Sequence, residues 1–185
     1  MQPRRLVPTV LIALLALTGV SACGTSTDEH VGSSEGSYVT AGELQYQVQI
    51  SRQLNTDSAE DNDYVTGLGP AAKLGKGEQY FAVFLRAWNR SHVTAHAASR
   101  FYLTDTTGKR YEQIPIDTNI NRVAWRAVDL RPDGQLPQAG SLARENTTQG
   151  GLVLFKVPVS AYDSRPLEFH IEPDSGAAAM VSLDV

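Results

Sequence analysis

The 185-residue chain has a single cysteine, Cys23, and therefore no internal disulfide. Methionine is nearly as scarce, with only Met1 and Met180, too few soft ligands for a copper or thiolate-metal centre. Basic side chains are outnumbered, 16 Lys and Arg against 20 Asp and Glu, which leaves no cationic footprint for nucleic acid or anionic lipid. A transmembrane helix needs ~20 apolar residues to cross ~30 Å of hydrocarbon. The longest such run, Leu6 to Leu17, has 12. No segment sustains a period of 3.6 residues, so helices have little part in the fold.

What is present begins at the N-terminus. "MQPRRLVPTVLIALLALTGVSACG" places Arg4 and Arg5 before the apolar run and small residues after it, the layout of a cleavable export signal. Val20-Ser21-Ala22-Cys23 resembles the bacterial lipobox, a branched apolar residue and two small ones before an invariant cysteine. That resemblance implies cleavage after residue 22 and a diacylglycerol on Cys23, the one covalent group expected; no cofactor is. Each buried methylene adds ~0.8 kcal/mol and two acyl chains give stable anchoring, so the protein is expected on the outer face of the cell membrane.

Without residues 1–22 the chain loses Arg4 and Arg5 and no acid, leaving 14 basic against 20 acidic side chains, a net charge of −6. Residues 23–42, with the stretch "GTSTDEHVGSSEGSYVTAG", are read as the lipidated cysteine and a disordered tether. As a flexible coil, 19 residues span ~24 Å root-mean-square. Gly32-Ser33-Ser34-Glu35-Gly36 formally matches a hydrolase nucleophile elbow, but that motif needs a strand before the serine and a helix after it, and neither pattern flanks it.

Residues 43–185 read as one β domain. "ELQYQVQISRQ" alternates, with Leu44, Tyr46, Val48 and Ile50 on one face and Gln45, Gln47, Gln49 and Ser51 on the other. "QYFAVFLRAWN" (79–89) is apolar on both faces, which predicts a central strand. "RFYLTDT" and "KRYEQI" flank Thr107-Gly108 as a hairpin. "GLVLFKVP", "LEFHIEP" and "AMVSLDV" supply three late strands. Asn55 to Gly77 reads as a long loop with at most one helical turn.

The order "YFAVFLRAWNRS", "FYLTDTTGKRYEQI" and "GGLVLFKVPVSAYDSRPLEFHI" resembles the telokin-like, immunoglobulin-like domains of unknown function of secreted bacterial proteins and lipoproteins. The shared features are a long strand ending in Asn, a D-x-x-G-x-x-Y hairpin and a late G-x-V-x-F-x-V-P strand. The resemblance implies an all-β, immunoglobulin-like β-sandwich of about seven strands in the cell envelope, with no shared catalytic residues. The Cys…Trp…Cys pattern of antibody domains is missing, so apolar packing alone must hold the sheets together.

Candidate sites are few. His92 and His96 have the four-residue spacing of a helical metal pair, but they precede a strand, where residues four apart lie ~13 Å apart rather than the ~6 Å of a helical turn. The glutamate of an HExxH site is also missing, and no metal site is expected. Asp57, Glu60, Asp61 and Asp63 form an acidic loop without EF-hand spacing. In "INRVAWRAVDLRP" (120–132), Trp125 is bracketed by Arg122, Arg126 and Arg131, residue types that anchor interfaces. The expected function is a non-enzymatic, membrane-anchored module that binds another envelope component, protein or polysaccharide. The alternative is an extracytoplasmic carrier of a small molecule or metal.

Overall fold

The computed structural model describes residues 30–184. The export signal and Cys23 lie outside them. In chain order the strands are β1 (Val31–Gly32), β2 (Tyr38–Ala41), β3 (Leu44–Gln53), β4 (Glu78–Trp88), β5 (Ala95–His96), β6 (Arg100–Thr104), β7 (Arg110–Glu112), β8 (Asp129–Leu130), β9 (Gln135–Leu136), β10 (Gly151–Pro158), β11 (Glu168–Glu172) and β12 (Ala179–Ser182). Two short helices, α1 (Ala59–Tyr64) and α2 (Leu142–Glu145), and 3₁₀ turns at Pro70–Ala72 and Val159–Ser164 complete the chain. Every strand expected from the sequence is present, as β3, β4, β6, β7, β10, β11 and β12.

The architecture is an all-β sandwich. One sheet runs β1-β12-β11-β6-β7 and the other β10-β4-β3-β2, with β9 joining β4 beyond the end of β10. Between them lies a core that includes Tyr46, Phe81, Leu85, Phe101, Phe155 and Phe169, each at most 2% exposed. Phe169 stacks on Phe101 at 5.5 Å between centroids and meets Phe155 edge-on at 6.1 Å, the geometries aromatic quadrupoles favour.

Apolar residues on both faces of β4 have a direct explanation in a third layer. Phe81, Val83, Leu85 and Ala87 face the core, while Tyr80, Ala82 and Phe84 point outward beneath the chain from Asn55 to Gly77. That segment is a fitted roof containing α1. Tyr64 packs edge-on against Phe84 at 5.1 Å, and the Tyr80 hydroxyl donates to the Ala72 carbonyl at 2.9 Å. Asp61, 4% exposed, takes a two-pronged hydrogen bond from Arg52 and accepts the Asn55 N–H at 2.7 Å. The acidic loop is therefore fastened through its central carboxylate.

Two sequence expectations are corrected. The tether does not extend to Gly42: Val31–Gly32 pairs in parallel with Met180–Val181, and Tyr38–Ala41 pairs with Leu44–Gln47. Val39 and Ala41, each 1% exposed, fill the rim of the core, which repays ordering this polar stretch. Ile50 is not on the inner face either. The β3–β4 register shifts between Val48 and Ile50, and an extra residue flips the side chains beyond it, leaving Ile50 39% exposed and Ser51 buried. The Glu35 carboxylate accepts from the Ser51 N–H and hydroxyl there, so the edge is capped where β2 has ended.

The D-x-x-G-x-x-Y hairpin is held by one carboxylate. Asp105 accepts from the Thr107 hydroxyl, from the N–H groups of Thr107 and Lys109, and at 2.7 Å from the Tyr111 hydroxyl. Those bonds, the Thr107 hydroxyl foremost, hold its pKa down at about 2, while burial and then the bond to Asp105 push Tyr111 up to about 12. Gly108 takes the positive φ of 82° that closes the turn.

Candidate functional site

The long irregular stretch between β7 and β10 is anchored at two buried asparagines. Asn121, 2% exposed, donates to the carbonyls of Tyr64 (2.9 Å) and Thr66 (3.2 Å) and accepts from the N–H groups of Val123 and Ala124. Asn89, fully buried at the end of β4, donates to the carbonyls of Val93 (2.7 Å) and Leu130 (2.8 Å). A buried amide with its bonds made is costly to lose, so both fix the loops on either side of Trp125.

Trp125 is a structural wall. Its N–H donates to the Leu152 carbonyl, its indole Nε1 donates to the Ala98 carbonyl, both at 2.8 Å, and the ring meets Phe101 edge-on at 5.9 Å. Gly151 makes this close approach possible, because a Cβ there would lie 2.7 Å from the indole ring. Trp125 also lines a groove of about 930 Å³. Arg122, Arg126, Pro137, Gln138 and the exposed Leu142 line it as well. Arg126 is steadied by donating to the Thr118 carbonyl at 2.8 Å. No carboxylate side chain is among the lining residues, whose charged groups are the two guanidiniums; the Glu145 carboxylate stands just behind, accepting the Gly140 N–H at 3.3 Å.

Trp125 also lines a smaller recess of about 200 Å³, together with Phe101, Ile114, Ile116 and Leu154. Gln113 also lines it; its Nε2 donates to the Ser99 carbonyl, while its Oε1 is buried without a partner.

Of the expected site residues, the structure gathers Trp125, Arg122 and Arg126 at the groove. Arg131 sits instead in an exposed turn outside the lining, where its carbonyl accepts the Gly134 N–H. His92 and His96 are not helical. His92 lies in a bend, and His96 in β5 pairs through Nδ1 with Asp129 at 2.7 Å. Among the described residues no group of three His, Cys, Asp or Glu side chains is arranged to hold a metal ion. Ser34 of the elbow-like motif lies in the turn between β1 and β2, with no helix after it. His170, on the outer face of the first sheet, stacks on Tyr102 at 4.3 Å, and burial lowers its pKa. Sequence reasoning missed Asn89 and Asn121; the Asn that ends the long β4 run was the only signal for either.

No family model matches the chain. No curated protein matches its sequence. Among solved structures, the fold is similar to the yjhA protein of Bacillus subtilis, with a TM-score of 0.51 at 9% identity over 82% of this chain and 99% of that one. It is also similar to ycdA of Bacillus subtilis, described provisionally as a lipoprotein, with a TM-score of 0.51 at 11% identity over 81% of this chain and 38% of that one. At such identities the likeness is one of fold.

Proposed function

We propose that this protein is a non-enzymatic binding module of the bacterial cell envelope, held on the outer face of the membrane by a lipid on Cys23, that takes an acidic segment of another envelope component into the groove beside Trp125. The observation that carries the reading is the groove's chemistry, two guanidiniums, an indole and no carboxylate in the lining. Arginines beside an aromatic surface are the groups that most often anchor interfaces, and a cationic groove on a chain with net charge −4 steers an acidic partner toward it. The lipobox-like Val20–Cys23 and the likeness of fold to a protein described as a lipoprotein support the location.

The test leaves Trp125 in place, because its buried bonds make it part of the fold. A photo-crosslinking residue at Gln138 should give a discrete adduct in intact envelopes, and Arg122→Glu with Arg126→Glu should remove it while the thermal midpoint stays put. An adduct that persists in the charge-reversed chain would dismiss the groove. Separately, Cys23→Ser should release the protein into the medium, and retention on the membrane would contradict the anchor.

A second reading, carriage of a small molecule, is favoured by the smaller recess, lined by Gln113, whose Oε1 is buried without a partner. Native mass spectrometry of the protein released gently from envelopes decides it: a bound mass lost in Gln113→Leu supports carriage, and a bare chain rejects it.

A further inference from the structure

The outer face of the second sheet carries a cluster that the groove does not use. Arg86 leaves β4 two residues beyond Phe84, past the end of the roof. Its guanidinium lies over the Trp88 ring at 4.9 Å, and Tyr38 of β2 packs against the same indole at 5.4 Å between centroids. Tyr38 is 47% exposed, so one side of its ring meets solvent.

Arg144 belongs to α2, whose backbone is fastened next to this part of β4. The Gly150 N–H donates to the Ala143 carbonyl at 2.8 Å, and Gly150 lies so close to β4 that a Cβ on it would stand 2.9 Å from the Phe84 carbonyl carbon. Asn146 donates to the hydroxyl of Tyr64, which itself packs on Phe84. These contacts seat α2 across β4 beside Arg86. The effect on Arg86 agrees, since its pKa is lowered first by burial and then by the charge of Arg144.

Neither guanidinium has a carboxylate within 4.0 Å among the described residues. Nη1 of Arg144 is buried without a hydrogen-bond partner. Two adjacent cations without a counter-charge are unfavourable until an anion arrives, and the guanidinium fork matches the paired oxygens of carboxylate and phosphate. A bare ion would satisfy the cations and leave the aromatic surface unused. A ring that carries an anionic group satisfies both.

We propose that Arg86, Arg144 and Tyr38 form a binding site for an anionic sugar residue, whose carboxylate or phosphate lies between the guanidiniums and whose ring rests on Tyr38. Titration of the purified protein with oligogalacturonate, followed by NMR of the arginine Nε–H and Trp88 indole signals, should shift all three groups and weaken as salt is added. Glucose 6-phosphate should compete. Arg86→Gln, Arg144→Gln and Tyr38→Ala should each weaken binding at least tenfold, with the fold intact by thermal melt. If Arg144→Gln fails to fold, Arg86→Lys and Tyr38→Ala carry the test, the first keeping charge but losing the fork. The site is overturned if the variants bind as the parent does or if no signal moves at millimolar ligand. Its assignment to a sugar is overturned if inorganic phosphate or oligoglutamate binds as tightly as oligogalacturonate, or if neutral maltotriose does.

Discussion

Along β4 the outer face of the second sheet changes character within a few residues. Tyr80, Ala82 and Phe84 lie under the roof formed by Asn55 to Gly77, while Arg86 and Trp88 lie beyond it, packed on each other and, for Trp88, on Tyr38, with α2 seated alongside. Both halves rest on the same strand, so backbone pairing does not account for the difference. The roofed half buries apolar area and contributes stability. The open half spends side chains on a cation and exposed aromatic surface that the fold does not need, and that contrast is what marks it as a place for a ligand.

The sharpest way to break the comparison is at Phe84, fully buried beneath Tyr64. Phe84→Ala opens a cavity that roof and sheet cannot both close, and should cost about 3–5 kcal/mol in denaturant melts. If the roof were loosely draped, the loss would fall to about 1 kcal/mol and the roofed half would resemble the open one.

A smaller effect is expected at the fastening of the roof. The Asp61 pKa is held below its ordinary value of 3.8, first by the hydrogen bonds from Arg52 and then, against the opposing cost of burial, by the Asn55 N–H. A carboxylate with a lower pKa folded than unfolded contributes in full above the unfolded value and loses that contribution as pH falls through the folded one. Acid should therefore loosen α1 first, seen as lower amide protection from Ala59 to Tyr64 at pH 3 than at pH 7. Asp61→Ala should abolish this dependence and cost about 1–2 kcal/mol, below the range for a fully buried pair because the Arg52 side chain is 30% exposed. An acid response that survives Asp61→Ala would assign the effect elsewhere.

The two halves also differ in how far the sequence discloses them. β3, β4, β10 and β11 were legible because a half-buried strand must alternate and a strand covered on both faces must not. β2 was hidden, since Val39 and Ala41 are two apolar residues inside a polar run. The flip at Ile50 was hidden because the bulge lies in an unbroken alternation and exists only relative to β4. Trp125 was singled out as the centre of a candidate surface, but its composition could not tell a wall from an anchor; its packing into the fold rests on the Ala98 carbonyl and on Gly151, both distant in sequence. Arg86 and Arg144 are likewise far apart in the chain and adjacent only through Gly150, so no local pattern could pair them.

The smallest effect is expected at Tyr38, and its direction separates the halves most cleanly. Tyr38 shields Trp88, which is 9% exposed. An aromatic pair of this kind contributes about 0.5–1.5 kcal/mol beyond area burial, and the low end applies because one side of Tyr38 already faces water. Tyr38→Ala should therefore cost no more than about 1 kcal/mol while the Trp88 indole becomes accessible to a soluble paramagnetic probe in NMR. The corresponding truncation under the roof, Tyr64→Ala, should cost about 3 kcal/mol or more. Equal losses at the two tyrosines would mean that the open half is packed for stability after all, and the case for reserving it for a ligand would lose its energetic basis.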